Sequence, residues 1–135
     1  MDCIFCKIVS GEIPVKILKE TTNSISFLDA FPLTKGHLLV IPKNHRQKIQ
    51  DLTEKEYSDL FSLVRTMISK SDSITGSTLL AVHNGKDAGQ EIPHAHVHLV
   101  PRSSSDSAGA IHSMFNDSLK LSNSEIEELY EKLKF

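Results

Sequence analysis

The chain lacks tryptophan, has two cysteines among its 135 residues, and carries no excess of basic charge. Its formal net charge is −2 at pH 7, so nothing in the composition favours the phosphate backbone of a nucleic acid as a partner. No apolar run exceeds that of residues 38–41, far short of the roughly 20 residues that cross a bilayer. The N-terminus lacks the layout of a secretion signal. We therefore expect a cytoplasmic protein, with the nucleus as a second compartment open to it, and no membrane or nucleic-acid partner.

The hydrophobic pattern predicts an α+β fold class. Hydrophobic residues make up 39% of the chain and charged residues 24%, which is the composition of a globular domain. Short apolar or alternating runs that are typical of strands cover residues 13–19, 24–29, 37–42, 78–82 and 94–100. Two capping boxes, Thr53 with Glu56 and Ser122 with Glu125, each precede apolar residues at helical spacing.

We predict a single domain over residues 1–135. It has an antiparallel sheet of about five strands, one long helix that runs to about Lys70, and a C-terminal helix. The apolar face of the C-terminal helix consists of Ile126, Leu129, Tyr130 and Leu133. Residues 102–118 are rich in serine at their start and predict little regular structure.

The abundant residue is histidine: the chain has seven, and three fall within five positions as His94, His96 and His98. Side chains of a strand alternate between its faces, so these three imidazoles are predicted to share one face, about 6.6 Å apart. Stacked imidazoles repel one another when charged, which makes a purposeless row costly. Two kinds of chemistry suit the row: zinc ligation, or nucleophilic and acid–base chemistry at phosphorus.

The two cysteines predict a metal site more than a redox pair. Cys3 and Cys6 have the separation that two thiolates need to chelate one tetrahedral ion from a turn. A redox pair would require a thioredoxin-like βαβ context, which the pattern does not predict.

The histidine run also carries a family resemblance. HAHVHLV (residues 94–100) resembles the defining motif of the histidine triad family, and three longer stretches resemble the same family. These are CIFCKIVSGEIPVKI (residues 3–17), SISFLDAFPLTKGHLLVIPKNH (residues 24–45) and AGQEIPHAHVHLVPR (residues 88–102). The resemblance covers about residues 3–102, is closest to the Hint-like, zinc-carrying intracellular branch, and fades over residues 103–135.

The resemblance implies catalytic roles for four residues. His96 would be the nucleophile that forms a nucleotidyl-histidine intermediate, with its Nδ1–H held by a backbone carbonyl. His98 would donate to a phosphate oxygen, and Gln90 would form a hydrogen bond near the bridging or leaving atom. The loop that contains Gly89 would direct backbone N–H groups at the α-phosphate. His94, at the first triad position, would serve structure or metal more than chemistry.

A nucleotide pocket is implied in the same way. Asp29 would accept from both ribose hydroxyls, because a carboxylate with two oxygens suits a cis-diol. His83 or Asn84 would position ribose and phosphate, since histidine stands where the family often has asparagine and Asn84 follows one place later. Glu91 stands where some relatives carry a serine that can protonate a leaving amine. The apolar walls around the base would be Phe5, Ile8, Phe27, Leu28 and Ala30.

The resemblance also adds His45 and His94 to Cys3 and Cys6, which makes a Cys₂His₂ site. Four protein ligands leave no open position, so the expected Zn²⁺ is structural. No organic cofactor is expected. The remaining histidines, His37 and His112, are interpreted as ordinary polar or core positions. Relatives of this kind imply a homodimer that joins its sheets across a two-fold axis, with the long helix at the interface.

The predicted function is hydrolysis or transfer at the α-phosphorus of a purine nucleotide, AMP-like in its bound part. The substrate would be a nucleoside phosphoramidate or a dinucleoside polyphosphate. One alternative is a nucleotide-binding regulatory protein with little turnover. Another is a metalloenzyme that uses His94, His96 and His98 as zinc ligands.

Overall fold

A five-stranded antiparallel sheet forms the centre of the computed structural model, which describes residues 2–109 and 118–135. Its strand order is β1-β2-β3-β5-β4. The strands are β1 (Ile17–Glu20), β2 (Ser24–Leu28), β3 (Leu38–Pro42), β4 (Thr78–Ala81) and β5 (Val97–Pro101), and the helices are α1 (Ile4–Val9), α2 (Glu54–Thr75) and α3 (Asn123–Leu133). Short 3₁₀ turns lie at Ile49–Asp51 and Lys86–Ala88. The α+β prediction is confirmed.

β3 is the central strand, and its two faces define the two apolar clusters of the protein. All five of its residues are buried. Because successive side chains of a strand face opposite sides, Leu38 and Val40 pack toward α2, while Leu39 and Ile41 pack with Phe5 of α1. Burial of each such side chain contributes about 1.5–3 kcal/mol. The functional side chains lie on the α1 side.

The histidine run enters the sheet later than its alternation predicts. β5 begins at Val97, so His94 and His96 precede the strand. The β3–β5 pairing stops at Val40 opposite Val97. Pro42, near that end of β3, has no N–H to donate, and its carbonyl oxygen instead lies 2.8 Å from Nε2 of His94. The three rings therefore do not form a single evenly spaced row.

Two other boundaries differ from the prediction. β1 begins at Ile17 rather than at residue 13, and residues 4–9 form α1, which the short apolar pattern did not predict. α2 runs past Lys70 to Thr75 and ends at Gly76, whose φ of +85° is the left-handed conformation that glycine adopts readily.

Both helix starts that the capping boxes predict are present. Ser122 and Glu125 cap α3 reciprocally. At α2 only half of the box forms, because Thr53 accepts from the backbone N–H of Glu56 while the Glu56 carboxylate binds Arg46 and Asn44.

The apolar residues of α3 remain exposed within the described chain, with Leu129 the least exposed at 42% and Leu133 the most at 73%. His112 lies outside the described residues, as does the rest of the range 110–117, whereas the serine-rich residues 102–109 are described and form no helix or strand. Within residues 2–109 and 118–135, no helix combines the length and apolar character that a membrane span requires.

Candidate active site and metal centre

A cavity of about 480 Å³ lies between α1, β2, β3 and the residues that lead into β5. One part of its lining is apolar, and another part carries imidazoles and carboxylates. The lining residues that the sequence predicted are Phe5, Ile8, Phe27, Leu28, Asp29, Ala30, His83, Gly89, Glu91, His96 and His98. His37, which was interpreted as an ordinary position, also lines this cavity.

His96 presents an unprotonated nitrogen. Its Nδ1 lies 2.8 Å from the carbonyl oxygen of His94. A carbonyl can only accept, so Nδ1 carries the proton and Nε2 keeps its lone pair. The ring is buried against Phe5, with 5.1 Å between ring centroids. Burial lowers the pKa of His96, which favours the neutral ring that a nucleophile requires.

His98 has the opposite polarity, because a chain of hydrogen bonds starts at the backbone. The N–H of Leu33 donates to Nδ1 of His37 at 3.0 Å. A neutral His37 then carries its proton on Nε2, which lies 3.0 Å from Nδ1 of His98. His98 therefore accepts at Nδ1 and has its own proton on Nε2. The two triad rings that line the cavity, His96 and His98, offer one lone pair and one donor.

His98 stays neutral at physiological pH. Burial, followed by the neighbouring imidazoles of His96, His37 and His83, lowers the pKa of His98 to about 4. Asp29 opposes this shift and is the weakest of these influences. Burial also lowers the pKa of His37. The hydrogen-bond chain thus joins neutral rings, which keep the directions of donation fixed.

The same chain argues against a second metal at Asp29, His37 and His98, although their ligand atoms lie within 4.8 Å of one another. His37 Nδ1 already accepts from Leu33. Ligation through Nε2 would require an imidazolate with both nitrogens deprotonated, which is far costlier than donation to His98. His37 is buried, as a core position would be, but its hydrogen bond to His98 gives it a further role that the sequence did not predict, because it sets the tautomer of a triad histidine.

Asp29 directly follows β2, and a backbone N–H holds one of its two carboxylate oxygens. Its Oδ1 accepts from the N–H of Phe31 at 2.9 Å, and its Oδ2 is 3.4 Å from Nε2 of His37. Each carboxylate oxygen can accept more than one hydrogen bond. The carboxylate is therefore held in place and still has capacity for hydroxyl donors.

The loop after β4 separates the two residues that the sequence left open. His83 lines the cavity, whereas Asn84 lies outside it. The amide of Asn84 accepts from the N–H of Ile49 and donates to the side chain of Gln50, so it braces the loop against the first 3₁₀ turn.

Gln90 has a bracing position too. Its Oε1 accepts from the N–H of Gly85, and its Nε2 donates to the carbonyls of Gln47 and Ile92. Both amide protons are used, and the side chain does not line the cavity. In this arrangement Gln90 positions the glycine loop, residues 85–90, and offers no free donor to a leaving atom.

His94 belongs to a second cluster, with Cys3, Cys6 and His45, whose ligand atoms lie within 4.8 Å of one another. Its Nε2 faces the Pro42 carbonyl, so Nδ1 is free of a proton and faces Sγ of Cys3 at 3.5 Å and of Cys6 at 3.7 Å. His45 Nδ1 lies 3.3 Å from Sγ of Cys6.

The donor set of this cluster fits zinc. Two ligands on a tetrahedral Zn²⁺, at about 2.3 Å for sulfur and about 2.05 Å for nitrogen, are about 3.6 Å apart. The observed sulfur–nitrogen separations lie between 3.3 and 3.7 Å. Burial and the adjacent Cys3 raise the pKa of the Cys6 thiol, so two thiolates here need a cation to stabilise them. The metalloenzyme alternative loses its first ligand, because His94 turns toward the cysteines.

A half-buried ion pair holds the segment that carries His45. Arg46 donates through Nε and Nη2 to Glu56 at 2.9 and 2.7 Å, and the Arg46 carbonyl accepts from the N–H of Ala95 at 2.7 Å. Arg46 and Asn44 hold the pKa of Glu56 at about 2, against the cost of burial. The start of α2 and the residues before β5 thereby fix His45 relative to His94.

Comparison with known proteins agrees with this geometry. The HIT domain family model matches residues 10–105. The chain belongs to the HIT family. It is 42% identical over 102 residues to an adenosine 5'-monophosphoramidase of Schizosaccharomyces pombe, covering 76% of this chain and 75% of that one.

Two solved HIT structures have the same fold. The histidine triad nucleotide-binding protein of Candida albicans superposes with a TM-score of 0.82 at 32% identity, over 98% of this chain and 95% of that one. A Zn-bound histidine triad family protein of Mycobacterium smegmatis superposes with a TM-score of 0.70 at 34% identity, over 81% of each chain.

Proposed function

We propose that the protein is a HIT-family hydrolase that cleaves purine nucleoside phosphoramidates at the α-phosphorus through a nucleotidyl-His96 intermediate. The observation that carries this proposal is the opposite polarity of two adjacent rings in one cavity. His96 offers an Nε2 lone pair, His98 offers an Nε2 proton, and their ring centroids are 4.9 Å apart. This pairing suits attack at phosphorus with simultaneous stabilisation of a phosphate oxygen.

The first step would form a bond between Nε2 of His96 and phosphorus and break the bond from phosphorus to the leaving nitrogen, which takes up a proton from solvent and departs as a neutral amine. The proton of His96 stays on Nδ1, where the His94 carbonyl stabilises the growing positive charge on the ring. Water then replaces His96 at phosphorus, and the electron pair of the broken bond returns to Nε2. His98 donates to a phosphate oxygen in both steps.

The nucleoside would bind along the apolar wall. Phe5 and Phe27, with 5.9 Å between ring centroids, and Ile8 provide a surface for a flat base. Asp29 is fixed by Phe31 and would accept from the ribose hydroxyls. These contacts leave the phosphate at the histidine end of the cavity.

The charges of the cavity favour an amine as the leaving group. Its two carboxylates are Asp29 and Glu91, and among residues 2–109 and 118–135 neither lysine nor arginine lines it. A dinucleoside polyphosphate or a sulfate would bring further negative charge to a site without cations. An amine brings none, and the similarity to a yeast adenosine 5'-monophosphoramidase supports the same substrate class.

Zinc would be structural in this account. Cys3, Cys6, His45 and His94 would hold the ion, and it would supply a closed crosslink between α1, the end of β3 and the triad segment. The ion would be held by His94 outside the cavity, so His96 and His98 would carry the chemistry of phosphoryl transfer.

We also propose a homodimer that forms along β4, the edge strand next to β5. Leu80 of this strand is 46% exposed, and an unpaired strand edge readily accepts another strand. Light scattering of the wild type and of Leu80→Arg tests this: the wild type should be a dimer and the variant a monomer. A monomeric wild type would contradict the proposal.

The function is tested by steady-state hydrolysis of adenosine 5'-phosphoramidate together with AMP binding. His96→Asn should lower turnover by at least about 1000-fold, because the nucleophile is lost, and should retain AMP binding. Diadenosine tetraphosphate should be a poorer substrate than the phosphoramidate. A wild-type protein that binds AMP without turnover would instead support the regulatory alternative.

A further inference from the structure

We propose that His83 is a general base of the active site, which takes the proton from the water that hydrolyses the nucleotidyl-His96 intermediate. This inference rests on the proposed function. An imidazole can accept a proton at neutral pH, which the amide of the neighbouring Asn84 cannot. Three features of His83 support this role: its tautomer, its position against Gly89, and its neighbours in the cavity.

The tautomer of His83 is set by the backbone. Its Nδ1 lies 2.7 Å from the carbonyl oxygen of Ala88, so Nδ1 carries the proton and donates it. The lone pair of the neutral ring is then on Nε2. The same carbonyl would stabilise the imidazolium after Nε2 takes up a proton, as a backbone or carboxylate oxygen does for other catalytic histidines.

The loop has a space that fits this ring. Gly89 has a φ of +96°, and a Cβ placed on it would lie 2.9 Å from Nδ1 and 3.4 Å from Cε1 of His83. An alanine at position 89 would therefore push the imidazole aside and strain the backbone. Gln90 keeps this loop closed through its bond from the N–H of Gly85. Glycine is thus required at position 89 for the His83 imidazole to occupy its observed position.

His83 stands beside the reacting groups. Its ring meets the ring of His98 edge to face, with 5.6 Å between centroids, and it lines the same cavity as His96. His98 offers a proton at Nε2 and His83 a lone pair, so these neighbours are suited to a phosphate oxygen and to a water hydrogen respectively. His83 is exposed, which allows the proton to pass on to solvent.

The step balances without a co-reactant. The water oxygen bonds to phosphorus, the bond from phosphorus to Nε2 of His96 breaks, and its electron pair returns to that nitrogen. The water proton goes to Nε2 of His83. Glu91 is the rival acceptor in the cavity, but within the described part of the chain no hydrogen bond fixes its carboxylate, whereas His83 is oriented by Ala88.

The experiment separates the two half-reactions. Rapid mixing with adenosine 5'-phosphoramidate measures ammonia release, and intact mass after an alkaline quench measures nucleotidyl-protein. His83→Asn keeps a donor toward Ala88 but cannot accept the proton. It should release a first equivalent of ammonia at the wild-type rate, accumulate nucleotidyl-protein, and turn over about 100-fold more slowly. Added imidazole should restore part of the turnover.

Gly89→Ala should produce the same accumulation with His83 still present, and thermal unfolding of both variants checks that they fold. Three results would overturn the inference: wild-type turnover in His83→Asn, a slowed first equivalent without accumulation, or accumulation in Glu91→Gln in its place. A wild-type protein without turnover would overturn the proposed function and this inference with it, whereas an active wild type with an equally active His83→Asn would overturn the inference alone.

Discussion

Nε2 of His37 lies 3.0 Å from Nδ1 of His98, and this contact determines which nitrogen of His98 holds a proton. The order of donation begins at the N–H of Leu33, which occupies the lone pair of His37 Nδ1. The backbone N–H of Leu33, four residues before His37, thereby controls which nitrogen of His98 offers a donor to the cavity. Three rings of the cavity, those of His96, His98 and His83, owe their tautomers to backbone groups.

Removal of the His37 donor should change the tautomer of His98. His37→Phe deprives Nδ1 of its partner, so the Nε2–H form loses its stabilisation and turnover should fall about 100-fold. His37→Gln can still donate from a similar position and should retain more activity. Nitrogen chemical shifts of labelled histidine report the tautomer directly. An unchanged His98 tautomer in His37→Phe would show that the hydrogen bond from His37 does not determine it.

Stability should fall in acid partly because of His98. Its pKa is about 4 in the folded protein, below the ordinary value of 6.5, so the unfolded chain binds the proton first as the pH falls. The folded state therefore loses stability between pH 6.5 and about 4, and the loss levels off below that. Urea denaturation across this range should show a smaller decline for His98→Asn than for the wild type. Equal declines would contradict the assignment.

The ion pair between Arg46 and Glu56 should contribute measurably to stability. Glu56→Gln leaves Arg46 unpaired and should cost about 2 kcal/mol, less than for a fully buried pair because Arg46 is 36% exposed. The pKa of Glu56 is about 2, so the effect is present above pH 4.5 and is lost as the pH falls through about 2. Arg102→Gln, at an ion pair with Asp106 remote from His45, serves as the control.

The same Glu56→Gln variant should bind zinc more weakly. The pair fixes the segment that carries His45, and loss of supporting contacts around a metal ligand typically costs about 10-fold or more in affinity. Competition with a chromogenic chelator measures this affinity. Zinc binding equal to that of the wild type would show that His45 is held by other contacts.

Zinc should stabilise the fold without supplying the chemistry. Elemental analysis should give one ion per chain in the wild type and less in Cys6→Ser. With free zinc a thousandfold above its dissociation constant, the ion should add about 4 kcal/mol to the free energy of unfolding. Removal of zinc by a chelator should lower the unfolding temperature of the protein. Turnover measured at a low temperature, where the zinc-free protein is still folded, should persist. Loss of turnover in a protein that is still fully folded would instead indicate a catalytic metal.

The sequence predicted features that depend on neighbouring residues, such as helix starts. It did not predict features that depend on the pairing of strands distant along the chain. The capping boxes at Thr53 and Ser122 are short-range signals, and both mark a helix start. The alternation of residues 94–100 predicted a strand there, but β5 includes only residues from Val97 onward. The role of His37 depends on the register that pairs Leu39 with His98, which a single stretch does not reveal. The available signal was the position of His37 directly before the central strand.

The sequence also did not reveal that the amides of Gln90 and Asn84 hold loops in place. The resemblance implied contacts with substrate for Gln90 and Asn84, but both amides are engaged by loop backbone or side-chain partners from residues 47–50. These contacts join segments more than 30 residues apart. By contrast, the ligand set Cys3, Cys6, His45 and His94 could be assembled from the family pattern, and the fold brings these four together.

The most direct measurement is the location of the covalent intermediate. Wild-type protein and His83→Asn are mixed with an adenosine phosphoramidate, quenched in alkali, digested and mapped by mass spectrometry. We expect one added AMP group, on the tryptic peptide of residues 87–102 and on His96 within it, and none in His96→Asn. An AMP group on another residue, or rapid turnover by His96→Asn, would contradict the central claim.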